Sequence, residues 1–104
     1  MVDEAYAIRS KFLGKLIKVN RNYVSLHVGT QSHLVRDTMG HLETQLDTQQ
    51  FVRIHRSTIV NVDRIQELRS SFNGEHVVLL RDGTRLTLSR GYRDALQTRL
   101  GRSF

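Results

Sequence analysis

A mainly β domain, with many short strands and two short helices, is the fold class that this sequence predicts. Three observations predict it. Short runs alternate apolar and polar residues or are rich in strand formers, as in YVSLHV (23–28), EHVVLLR (75–81) and TRLTL (84–88); alternation is the period of a half-buried strand. Turn residues separate these runs. Proline is absent from the chain, so Gly, Asn and Asp must make the breaks. Apolar residues recur at helical spacing after residue 38 in only two brief stretches. With 104 residues the chain is one domain's worth, and a core this small favours thin layers.

Taken in order, residues 1–14 are read as an N-terminal arm or linker and 15–104 as the domain. In the arm, Ala5, Ile8, Phe12 and Leu16 recur at helical spacing behind Asp3 and Glu4, which suits a helix start. An extended lead-in through Leu13-Gly14 is the alternative. LIKV (16–19) and YVSLHV (23–28) read as strands on either side of the polar NRN (20–22). Val24, Leu26 and Val28 fall on one face, Ser25 and His27 on the other. HLVR (33–36) returns as the partner of a hairpin. From Asp37-Thr38 a short helix begins, with Met39, Leu42 and Leu46 as one buried stripe. It contains no Lys or Arg, so it reads as core support and not as a groove-reading helix. FVRIH (51–55) is strand-like, with Val52 and Ile54 facing the core and Arg53 and His55 facing outward. Residues 64–88 read as a three-stranded meander, joined by Asn73-Gly74 and Asp82-Gly83, the strongest short hairpin signals. Ser89 suits an N-cap. Tyr92, Ala95, Leu96 and Leu100 make the apolar face of the last helix, and Gly101 ends it.

Composition narrows the function. There is no cysteine, which excludes disulfide frameworks, cysteine zinc sites and thiol nucleophiles. No apolar run approaches membrane-spanning length, and the N-terminus lacks a signal peptide's apolar core. The five histidines form no metal-binding spacing. No phosphate-binding glycine motif or nucleophile elbow is present. Neither enzyme activity nor a cofactor is expected. The net charge is +6, from 13 arginines and three lysines against ten acidic residues. A small basic domain weighted to Arg suits a polyanion, because the guanidinium makes two-pronged contacts with phosphates and guanine edges. A solubilising basic surface is the bland alternative.

Three clusters carry the chemistry. Arg53, His55, Arg56 and Ser57 sit where a strand gives way to a loop, a place that suits contacts to phosphates and base edges. A strand end in which His55 satisfies a local backbone group would look the same. Arg21, Asn22 and Tyr23 lie between two strands; Arg and Asn read guanine and adenine, although a plain polar turn with Tyr23 packing fits equally. Ser89, Arg90, Tyr92 and Arg93 stand at a helix start, where free N–H groups bind phosphate. Arg90 there opposes the helix dipole, which hints at another purpose, while an ordinary cap is the other reading.

The run FVRIHRSTIVNVDRI (51–65), the later LLRDGTRLTLSRGY (79–92) and the upstream NYVSLH (22–27) together resemble the LytTR-type DNA-binding domain over roughly residues 15–100. The resemblance implies about ten short strands in small stacked sheets with minor helices. It implies a bacterial transcription regulator, in the manner of a two-component response regulator. Such a domain binds double-stranded DNA at paired direct repeats, one domain per repeat, with loops inserted into successive major grooves. A homodimer on DNA is compatible with that arrangement. Contacts carry over to Arg21, Asn22 and Tyr23, to Arg56 with His55 and Ser57, and to Arg90 in the SR pair Ser89-Arg90. Arg53 joins this set as a source of phosphate attraction. A cytoplasmic location is expected, with membrane contact only through a parent module outside these residues.

Two other classes are weighed against this. One is a protein-interaction module that keeps the fold without DNA contact; the charge and the arginines at 56 and 90 argue against it. The other is an RNA-binding β-domain, which would show aromatics on an open sheet face.

Overall fold

The computed structural model describes residues 14–20, 23–28, 30–70 and 76–100. Among them the elements are β1 (Leu16–Asn20), β2 (Tyr23–Val28), β3 (Gln31–Val35), α1 (Met39–Gln45), β4 (Phe51–His55), β5 (Thr58–Asn61), a 3-10 turn (Val62–Arg64), β6 (Ile65–Ser70), β7 (His76–Leu80), β8 (Arg85–Leu88) and α2 (Arg90–Leu100). The fold is mainly β, with eight strands in two antiparallel sheets and two helices among the described residues. The first sheet has the order β3-β2-β1-β5-β4 and the second β6-β7-β8. The arm at 1–13, the Asn73-Gly74 turn and Gly101 fall outside the described residues.

The β1, β5 and β4 side of the first sheet is covered on both faces, whereas β3 is exposed at four of its five positions, and the register shows how. Ile17 opposes Leu26 and Ile59. That face packs against Met39, Leu42 and Leu46 in one core cluster with Val24, Val35 and Phe51. On the other face Leu16 opposes Val60, and Val60 opposes Val52. These pack with Val78, Leu80, Leu86 and Leu88 of the second sheet and with Leu96 of α2. The first sheet is thus the middle layer of a sandwich. Residues that alternate on its inner strands are buried either way, so β5 is buried at all four positions.

Local signals account for the elements. The Thr38 Oγ1 accepts the His41 N–H at 3.1 Å and starts α1. The Asn61 amide donates to the Gly14 carbonyl at 2.9 Å, and its oxygen accepts the Asp63 N–H at 3.0 Å. One side chain therefore fastens the chain entering β1 and opens the 3-10 turn. Gly83 takes φ +91°, a conformation in which a Cβ is strained, and so permits the tight β7–β8 connection. Two expectations about faces change. Val28 lies on the predicted face but beyond the core, 41% exposed, and Ala95 of α2 is exposed while Leu96 carries the burial.

Asp82 closes that connection. Its carboxylate accepts the Thr84 N–H at 2.9 Å and pairs with Lys15 at 2.7 Å. The Lys15 ammonium first, and the Thr84 N–H next, hold the Asp82 carboxyl well below the usual carboxylate range. A carboxyl whose pKa is lower folded than unfolded adds stability above its unfolded value of 3.8 and loses it as pH falls below that value. Urea unfolding between pH 5 and pH 2 should show a falling midpoint in the parent and a shallower fall in Asp82→Asn. Equal slopes would mean that the pair does not persist in solution.

Candidate nucleic-acid interface

Three chain segments meet at one end of the first sheet. β1 runs to this end, and the Val19 N–H donates to the Ser57 carbonyl at 2.9 Å. β4 ends here at His55, and β5 begins here at Thr58 after a two-residue turn, Arg56-Ser57. The pairing of β4 with β5 shifts register between Arg53 and His55, so Ile54 sits in a bulge, a device that re-aims the strand end. The Ile54 carbonyl accepts the Ser89 N–H at 2.8 Å, which places the start of α2 against the same bulge. Two backbone hydrogen bonds thus tie the end of β1, the β4–β5 turn and the α2 N-terminus together.

The side chains at this end differ in what they do. Arg56 and Arg90 are exposed and make no ion pair among the described residues. Ser57 is half-buried. The His55 Nδ1 accepts the Ser57 N–H at 3.1 Å and lies 2.8 Å from the Ser57 Oγ. That geometry needs a lone pair on Nδ1, so in the neutral ring Nε2 carries the proton. His55 is therefore both the local backbone partner that the bland reading supposed and a donor left over for another group. Ser89 contributes its backbone, with its carbonyl accepting the Tyr92 N–H at 3.0 Å. Tyr23 is 43% exposed at the first position of β2. Arg21 and Asn22 lie outside the described residues.

Arg53 departs from the outward-facing position expected of it. β4 has both faces covered, so the side chain lies along the α1 face, opposite Ile59, and is only 19% exposed. Its guanidinium pairs with Glu43 of α1, donates from Nη2 to the Arg56 carbonyl at 2.5 Å and from Nε to the His55 carbonyl at 3.3 Å. Its carbon also lies 5.6 Å from the centre of the Tyr92 ring on α2, within cation–π range. Arg53 is engaged within the protein, bracing the β4–β5 turn between the two helices. The partners Glu43 and Tyr92 stand ten and 39 positions away in sequence, a link that strand alternation cannot reveal.

His27, on β2, is held below its usual pKa first by burial and then by Lys18 and Lys15. Among the described residues, no group of His, Asp and Glu is placed to hold a metal ion, and no helix is long and apolar enough to cross a membrane.

Residues 15–101 match the LytTr DNA-binding domain. The chain belongs to that family. Over 75 residues it is 32% identical to the sensory transduction protein LytT of Bacillus subtilis, spanning 72% of this chain and 31% of that protein. Over 88 residues it is 32% identical to the LytT of Enterococcus faecalis, spanning 85% of this chain and 36% of that one. The chain thus spans about a third of the length of these curated relatives. A solved LytTr domain from Bacillus cereus shares the fold, with a TM-score of 0.78 at 20% identity, over 85% of this chain and 81% of the other. The candidate groups stand at the end of β4, on the β4–β5 turn, at the start of β2 and at the first turn of α2. The arrangement can supply two-pronged Arg contacts, hydroxyl donors and an imidazole N–H, all from rigidly held backbone.

Proposed function

We propose that this LytTr domain binds double-stranded DNA sequence-specifically, as the output module of a bacterial transcription regulator, by placing three loops into successive major grooves. The contacts are Arg56, His55 and Ser57 on the β4–β5 turn, Ser89 and Arg90 at the start of α2, and Arg21, Asn22 and Tyr23 between β1 and β2. Arg53 enters this reading as the brace behind the turn, because its guanidinium already has partners. The observation that carries the reading is the Ser89–Ile54 hydrogen bond, which ties the start of α2, where Arg90 stands, to the strand end that leads into Arg56. In this reading each domain takes one of two direct repeats, and two copies on DNA would act as a homodimer there. Residues 15–104 form the binding domain and 1–14 an arm or linker to a parent module, which receives the signal, in the cytoplasm. No catalytic step belongs to this reading.

Selection of bound sequences from a random duplex pool tests it, and also gives the repeat spacing. On the selected site, Arg56→Ala and Arg90→Ala should each cost about 1–3 kcal/mol, with far less effect on scrambled duplex, as base-reading arginines do. The unfolding midpoint should not move, since both side chains are exposed. Equal loss on both duplexes would assign these arginines to phosphates and leave base reading to Arg21 and Asn22. A pool that yields no enriched sequence would favour the alternative, a fold kept for protein contacts.

A further inference from the structure

Beside the β4–β5 turn, between the first sheet and β8, lies an open hollow of about 240 Å³. Lys18, Thr58, His55 and Ser57 line it from the first sheet, and Arg85 and Thr87 line it from the edge strand β8, on the side opposite the buried Leu86 and Leu88. Lys18 and Thr58 oppose each other in the register of β1 and β5, so the ammonium and the hydroxyl share a face. Among the described residues, no carboxylate lines the hollow. Lys18 and Arg85 are both exposed and have no ion-pair partner among the described residues, whereas Lys15, Arg53 and Arg69 are each paired with a carboxylate. Two cations from different sheets, unpaired among the described residues, together with threonine hydroxyls on one hollow are the groups that suit a tetrahedral oxyanion.

We propose that this hollow seats one phosphate of the DNA backbone, held between Lys18 and Arg85, next to the groove entered by the turn. The proposal rests on the DNA-binding reading and adds a backbone clamp to it. A phosphate fixed there sets the register of the duplex against Arg56, which is what backbone contacts do in DNA recognition. Lys18 and Arg85 are strand residues, one in each sheet, and both line the one hollow.

The test compares the 104-residue chain with Lys18→Gln/Arg85→Gln, and with Arg99→Gln at the far end of α2 as the control. Affinity is measured for a selected duplex and for its scrambled counterpart from 50 to 200 mM salt. The double variant should weaken both duplexes by the same factor. Its log–log salt slope should be shallower by about 0.9, so that its affinity falls roughly 3.5-fold less than the parent's across that salt range. The Arg99 variant should keep the parent's slope. An unchanged slope in the double variant, with an unchanged unfolding midpoint, would overturn the clamp while leaving the DNA reading intact. Absence of duplex binding by the parent chain would overturn the DNA reading itself, and the clamp with it. A second arm titrates inorganic phosphate while following the amide resonances of Ser57, Thr58 and Thr87. Saturation of these shifts by free phosphate, with no shift on adding duplex, would overturn the assignment to DNA and make the ligand a free phosphate.

Discussion

Leu96→Ala lowers the unfolding free energy of this domain by about 2–5 kcal/mol, the range for emptying a fully buried leucine site. Leu96 has no exposed surface and is the buried residue of α2. It fills the space between the helix and the two sheets, among Val52, Ile54, Val78 and Leu88. Neighbours on three elements restrict how far the cavity can collapse, and that places the cost toward the upper part of the range. Domains of this size have about 5–15 kcal/mol in all, so the loss is a large share. Denaturant unfolding at 25 °C reads it directly. The exposed neighbour Ala95 supplies the control, because Ala95→Ser should leave the midpoint within about 0.5 kcal/mol of the parent. An unmoved midpoint in Leu96→Ala would show that α2 is not docked as described. Then the tie between Ser89 and Ile54 would fail as well.

Arg53→Ala should damage both stability and recognition. The guanidinium holds two carbonyls of the β4–β5 turn, Glu43 of α1 and the Tyr92 ring. Hydrogen bonds made by charged groups contribute about 1.5–3 kcal/mol, and the half-screened Glu43 pair adds little beyond that. The expected stability loss is therefore about 1.5–3 kcal/mol. Released from its brace, the turn no longer holds Arg56 in one place, so affinity for the selected site should fall by an amount comparable to Arg56→Ala. The salt slope should stay at the parent's value, because no phosphate contact is removed. Arg53→Lys should rescue neither property well, since a point charge cannot bridge two carbonyls, a carboxylate and a ring at once. A slope reduced by about 0.9 with an unchanged unfolding midpoint would return Arg53 to the phosphate-contacting set.

The sequence by itself determined those elements whose cause is local. The β7–β8 hairpin follows from Asp82-Gly83, because the turn needs one residue at positive φ and a side chain to accept the Thr84 N–H. The Met39–Leu42–Leu46 stripe follows from helical period and from the Thr38 cap. The long-range FVRIHRS and LSR pattern was legible as well, because a resemblance carries spatial information that periodicity lacks. What only the tertiary structure decided concerns neighbours distant in the chain. Alternation says which residues of β4 share a face, but not that both faces are covered, so Arg53 read as outward when it is held among internal partners. The bulge at Ile54 depends on how β5 pairs, which no local residue choice announces. Lys18 and Arg85 lie 67 positions apart and line one hollow because the second sheet packs against the first. Short-range physics sets turns, caps and faces, whereas the site is made where separate elements are brought together, and that is decided by the packing of two cores against one shared sheet.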